Sequence, residues 1–271
     1  MKHLLVPCDL REESFTALRV AGQLADKMHA RITLLHVAAN EQAAQSAHDA
    51  LIALKDRLEQ EVKCVISTEV SEGDFMVEIG RSARELEADM AVMVTHGIQG
   101  DQVYSGSLAL QVITEAGLPF LVVQSSTGVI MTGAKALLAL EYRQASKDEM
   151  ELVITFLKAL GAEVELFLHR RDSSQDPREW DGFFSDALND AGLVHRITHN
   201  DKYDFSRAAV DHAANSGCQL IVALNYSYEN LYSISPRTDE EDLIYNAAAI
   251  PVLLITPVNQ DDELERPEEL M

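Results

Sequence analysis

Gly97, Gly100 and Gly106-Ser107 lie on one connection, directly after the apolar run Met90–Val94 and before a helical stretch. Glycines let a backbone come close to a ligand, and the start of a helix offers unpaired N–H groups and a favourable dipole to an anion. That is the chemistry of a phosphate cradle. The same glycines also suit a connection that simply has to bend, and Ser107 suits an N-cap. Asp9 and Val37 each stand at the carboxyl end of another apolar run, Leu4–Pro7 and Ile32–Val37. No nucleophile–base–orienter set can be assembled. There is no Gly-x-Ser-x-Gly elbow, no Walker loop and no dinucleotide fingerprint. A binding or regulatory protein is therefore expected rather than an enzyme, with no catalytic residue. No Cys/His spacing suggests a metal, and His195, His199 and His212 share no ligand spacing. Cys8, with no neighbouring base in sequence, reads as a buried inert thiol rather than a redox sensor. His96 reads as a structural residue at a strand end. Glu12-Glu13 and Asp239–Asp242 read as helix starts, and His169-Arg170-Arg171 as a solvated strand–helix loop.

The elements that must position these residues alternate. Leu4–Pro7 predicts a short buried strand. With Ser14 as N-cap, Leu18, Ala21, Leu24, Ala25 and Met28 recur at helical spacing. Ile32–Val37 is a strand, Ala43–Val62 a helix, and Cys64–Val70 a strand near a sheet edge. Gly73-Asp74 turns into a helix through Val77, Ile79, Ala83 and Leu86. Met90–Val94 is a central strand, followed by a helix near Leu108–Glu115 and a fifth strand, Phe120–Gln124. The order then repeats: Ala136–Leu140, Lys147–Leu160, Val164–His169, Asp176–Ala191, Val194–Thr198, Phe205–Asn215, Leu220–Leu224, Glu240–Ala249 and Val252–Thr256. Strands joined by helices imply parallel pairing with right-handed crossovers. The expected fold class is α/β: two tandem doubly wound parallel-sheet domains of five strands each with flanking helices. Their bounds are 1–126 and 134–258, with an acidic tail at 259–271. In such layers ligands bind beyond the carboxyl ends of strands, at the topological switch point.

Composition sets the outer limits. The 271 residues suit two domains, and 47% apolar content is ample for a core in each. A net charge of −22 argues against a nucleic-acid partner, whose phosphates it would repel. Leu4-Leu5-Val6 is too short for a signal-peptide core or a membrane span, so no membrane partner is expected. Cys8, Cys64 and Cys218 are scattered and odd in number, as in a reduced, cytoplasmic protein.

Three groups of residues carry a resemblance. They are Val6-Pro7-Cys8-Asp9 before a Ser-containing helix, Leu34-Leu35-His36-Val37, and Met93-Val94-Thr95-His96-Gly97 with Gly106-Ser107 and Pro119-Phe120-Leu121-Val122-Val123. Together they resemble the universal stress protein family over residues 1–124. A fainter likeness runs through Leu137–Leu140, Ile221–Leu224 and Pro251–Ile255. The whole chain thus looks like a tandem member with the adenine-nucleotide alpha-hydrolase-like fold. The resemblance implies an adenine-nucleotide site, for ATP or AMP, in the N-terminal half. Asp9 would act at the base or ribose side, and the Val37 backbone at the adenine. Gly97, Gly106, Ser107 and the Leu108 backbone would hold phosphates. Two departures stand out. Val94 replaces the first glycine of the family's phosphate loop, and eight residues, Ile98 to Ser105, separate the later glycines where the family has nine. In the second half Glu141 stands near the family aspartate's place. The loop Asn225–Asp239 lacks glycine but carries Tyr226, Tyr228, Tyr232 and Pro236, so no nucleotide is expected there. The resemblance also implies that Phe120–Gln124 and Val252–Thr256 pair within the chain as a pseudo-dimer, leaving room for a homodimer. Two further functions stay open: a structural or interaction module with both pockets closed, and a weak ATPase at Asp9 and Ser107.

Overall fold

The computed structural model describes residues 1–95, 105–128, 130, 133–141, 147–170, 177–201, 204–224 and 239–256. His96, Gly97, Gly100, Arg171, the tyrosines of 225–238 and the acidic tail lie outside the described residues.

In the first half the elements are β1 (His3–Pro7), α1 (Ser14–Met28), β2 (Arg31–Ala38), α2 (Glu41–Leu58), β3 (Ile66–Glu72), α3 (Phe75–Glu85), β4 (Met90–Thr95), α4 (Ser105–Ala116) and β5 (Phe120–Gln124). The second half follows with β6 (Lys135–Glu141), α5 (Lys147–Leu160), β7 (Glu163–His169), α6 (Pro177–Asp190), β8 (His195–Asn200), α7 (Phe205–Asn215), β9 (Leu220–Leu224), α8 (Asp239–Ile244) and β10 (Val252–Ile255). Local chemistry sets several boundaries. Asn40, Asp74 and Asp204 cap α2, α3 and α7 by accepting N–H bonds from the first turn. Ser14 does not cap α1 as its sequence suggested. Glu13 holds the cap position without a side-chain bond, while the Ser14 hydroxyl donates to the Asp9 carboxylate, a charged and hence stronger acceptor. The last helix is shorter than its apolar pattern predicts. Asn246 bonds the carbonyls of Leu243 and Ile250 and the N–H of Ile250, turning the chain out of α8 before Ala249.

The strands form one ten-stranded sheet in the order β3-β2-β1-β4-β5-β10-β9-β6-β7-β8. Each half has the same internal order, and every pairing within a half is parallel. The halves meet through β5 and β10, which pair antiparallel, with Leu253 opposite Leu121 and Val252 opposite Val122. This is the intrachain pairing that the resemblance implied. Alternation along the strands divides the side chains between two faces. On one face Leu4, Val6 and Leu34 pack with α1, and the same cluster runs on to Phe156 of α5 and Phe184 of α6. On the other, Leu5, Phe120 and Val122 pack with α3 and α4 and continue to Ala209 of α7 and Ile244 of α8. Both cores therefore cross the seam between the halves.

Leu253 is fully buried at that seam, whereas Val65 is 72% exposed at the outer edge. Leu253→Ala should cost about 3 kcal/mol of unfolding free energy, and Val65→Ala less than about 0.5 kcal/mol. Urea denaturation of the two variants checks this; equal midpoints would contradict the seam.

Candidate functional site

The switch point of the first half lies between β1 and β4, because the chain passes from β1 to β2 on one side and reaches β4 on the other. There the hydrogen bonds between the two strands end early. Their ladder holds only Leu4–Met90 and Leu5–Ala91. The equivalent strands of the second half, β6 and β9, stay paired from Ala136–Leu220 to Ala139–Ala223. A physical reason stands in the sequence. Pro7 has no N–H to donate toward β4, while Ala139, at the matching place, has one.

The described residues singled out from sequence lie at or just past the carboxyl ends of β1 and β2, in β4 and in the first turn of α4. Asp9 follows β1. Its carboxylate accepts the Arg11 N–H at 3.0 Å and the Ser14 hydroxyl, and lies 3.5 Å from Arg11 Nε. Those bonds close a turn in which Leu10 is held at φ 64°, a conformation unfavourable for a side chain of its size. Asp9 thus braces a strained turn at the rim and still presents a half-exposed carboxylate. Val37 lies in β2, its side chain against the α3–α4 face. The last β1–β2 pair is Pro7–Leu35, closed by Cys8 N–H to the Leu35 carbonyl at 2.8 Å. Peptide groups two residues apart on a strand point the same way. The N–H and C=O of Val37 are therefore directed to the β1 side just past the end of that ladder. His36 Nδ1 meets the Cys8 carbonyl at 2.8 Å and fixes the rim between them. Gly106, Ser107 and Leu108 lie in the first turn of α4, which carries no acidic residue. Val94 belongs to β4, opposite Val123 and packed toward the α1 core, so it is a strand residue and not part of a loop.

Cys8 is buried, its thiol donating to the Val6 carbonyl at 3.2 Å. Burial, reinforced by the Asp9 charge, pushes its pKa far up, so thiolate chemistry is suppressed. Burial also raises Cys64 and Cys218, each to about 11. In the native protein near pH 8 the three thiols should resist Ellman's reagent, with half-exposed Cys64 reacting first. Fast labelling of Cys8 before denaturation would contradict its burial.

The second half differs at the matching place. The β6–β7 ladder continues through Leu140–Leu168 to Glu141–His169, past the point where β1–β2 stops. Glu141 and His169 stand where the first half has Asp9 and Val37, and both are buried. His169 bonds Asn200 at 3.0 Å and its ring meets that of Phe205, tilted, at 5.1 Å between centroids. It is therefore not in a solvated loop, as the run His169-Arg170-Arg171 suggested, because the β7 ladder holds it.

Lower in this half, buried Glu165 accepts from Lys135 at 2.9 Å and Thr198 at 3.1 Å, with His212 Nε2 at 3.4 Å. Ser216 Oγ meets the same His212 nitrogen at 3.3 Å. A proton relay needs opposite ring nitrogens, so Ser216, His212 and Glu165 form no catalytic triad. Burial pushes the Glu165 pKa up, but the bonds from Lys135, Thr198 and His212 outweigh it and the net direction is down. A carboxylate lowered on folding contributes stability above its unfolded pKa and loses it as pH falls through the folded value. Glu165→Gln should flatten the fall in Tm below about pH 5. A slope equal to the parent's would show that Glu165 does not supply it. Among the described residues no group of three or more His, Cys, Asp or Glu could hold a metal ion, and no helix is long and apolar enough to cross a membrane.

Within one α/β sheet the two switch points therefore differ in their hydrogen bonding, the β1–β4 ladder stopping short and the β6–β9 ladder running on. Residues 1–124 match the universal stress protein family. The match to that family lies in the N-terminal half of the chain. A universal stress protein from Archaeoglobus fulgidus superposes with a TM-score of 0.74 at 16% identity, covering 94% of this chain and 98% of that one. A putative universal stress protein from Pseudomonas aeruginosa UCBPP-PA14 gives 0.63 at 13%, covering 95% and 94%. A functionally unknown protein from Pseudomonas aeruginosa PAO1 gives 0.62 at 13%, covering 95% and 93%. These likenesses establish the fold over the whole chain. No curated protein matches it.

Proposed function

We propose that the chain is a cytoplasmic stress-response regulator that senses an adenine nucleotide, ATP or AMP, at one site in its N-terminal half, and that it is not an enzyme. The observation that supports this is the unequal ladder: the β1–β4 hydrogen bonds end at Leu5–Ala91, while those of β6 and β9 run through Ala139–Ala223. In this reading the nucleotide would lie beyond the carboxyl ends of these strands, with Asp9 after β1, the Val37 peptide groups at the end of β2 and the acid-free first turn of α4 after β4. Asp9 would meet the base or ribose and the Val37 backbone the adenine. Gly97, Gly106, Ser107 and the Leu108 N–H would meet the phosphates. A nucleotide bound there would bias a surface used for partners by differential affinity for two states.

Val94 favours a second reading, an interaction module that binds no nucleotide. A β-branched residue stands where the family's loop has glycine, and it is committed to β4 opposite Val123.

Native mass spectrometry of the gently purified chain, titrated with ATP and with AMP, separates the two. One nucleotide per chain is expected, and Asp9→Asn, which can keep the turn but loses the charge, should weaken binding about tenfold. An empty parent chain with a binding Val94→Gly variant would mean that the site was lost at that residue. Two empty chains would leave the interaction module.

A further inference from the structure

Two equivalent residues hold the halves together by more than the strand ladder. Gln124 ends β5, and its Nε2 donates to the carbonyls of Asn246 at 2.8 Å and Ile244 at 3.4 Å, where α8 ends. Thr256 follows β10, and its hydroxyl donates to the Ile113 carbonyl of α4 at 3.4 Å. Each half's last strand thus grips the other half's last helix. Thr127 adds a bond to the Ala249 carbonyl at 3.1 Å. Between these grips, Val112 and Ile113 of α4 and Leu243 and Ile244 of α8 belong to one buried cluster. Because β5 and β10 run antiparallel, the last turn of α8 lies at the same end of the sheet as the first turn of α4. That is the end at which the strands of the first half finish, where the proposed nucleotide would lie.

We infer that α4 and α8 respond as one unit, so that occupancy of the proposed N-terminal site is transmitted to α8 and the second half is the output of the sensor. The inference rests on nucleotide binding in the first half. An anion drawn to the N–H groups that begin α4 restrains that helix. The restraint passes to α8 through the shared apolar contact and the Gln124 and Thr256 bonds. Gln124 and Thr256 touch no ligand in this scheme; they are positioning residues. Coupling is reciprocal, so breaking the grips must also change nucleotide affinity.

Hydrogen exchange of the full chain, with and without saturating ATP or AMP, tests this. The nucleotide should slow exchange in both 105–116 and 239–249. In Gln124→Met and Thr256→Val, close in size to the originals, 105–116 should still slow while 239–249 should not, and affinity should fall about fivefold. If Gln124→Met does not fold, Thr256→Val carries the test alone. Slowing of 105–116 without 239–249 in the parent overturns the coupling and leaves nucleotide binding standing. Saturable binding unaltered in affinity by both variants overturns it as well. No saturable binding removes both the site and the coupling.

Discussion

The structure depends on the antiparallel pairing of β5 with β10. A parallel sheet needs both faces covered, so its strands are apolar on both sides. Phe120, Leu121, Val122 and Val252 through Ile255 are buried to 2% exposure or less. Left unpaired, either strand would be a flat hydrophobic edge, open to any other edge in solution. Each covers the other instead. The free edges of the joined sheet then fall at β3 and β8, which carry Glu69 and Glu72 on one side and His195, Arg196 and His199 on the other. Charged and polar edge residues are the usual defence against further pairing. The sequence has placed its apolar edges where they meet internally.

Within this shared scaffold the halves diverge at a few backbone bonds. Pro7 withholds a donor from β4, the β1–β4 ladder ends, and the chain after it needs a sharp turn with Leu10 in the left-handed region. Asp9 stabilises that turn with its carboxylate. Ala139 withholds nothing, both flanking ladders run on, and Glu141 and His169 are paired and buried at the end of theirs. A strained turn with a charged rim is costly unless it does something, whereas a continuous ladder with a buried His169 is the ordinary solution.

Much of this was legible in the sequence. Lys147–Leu160, Phe205–Asn215, Phe120–Gln124 and Leu220–Leu224 are bounded as their periodicity predicts, and the edge character of the Cys64–Val70 run agrees with the outermost place of β3. Periodicity reports which face is buried, and burial here is regular. What it missed are bonds made across the sequence. Nothing local shows that Ser14 will serve Asp9 rather than its own helix, or that Asn246 will end α8 early, or that Gln124 will reach Asn246. The buried place of His169 was hidden because its two arginine neighbours dominate the local composition. Pro7 was the one signal that could have been read: a proline in a strand that must pair on both sides predicts an interrupted ladder.

The two halves can differ at their loops and helix starts without differing in fold because the cores are shared. Phe156 and Phe184 belong to the cluster that packs β1, and Ile244 to the one that packs β5, so the apolar requirement on each half is set partly by the other. The helix starts carry no such constraint. The first turn of α4 has no acidic residue, whereas α8 begins Asp239-Glu240-Glu241-Asp242. Carboxylates at a helix start satisfy the positive end of its dipole from within the chain. The two helices therefore occupy equivalent places with opposite electrostatics. The first turn of α4 adds no charge to the positive end of its dipole, while that of α8 adds four carboxylates in sequence. The same repeat thus carries two unlike helix starts on one scaffold, and the halves meet through the noncovalent β5–β10 pairing and the two shared cores.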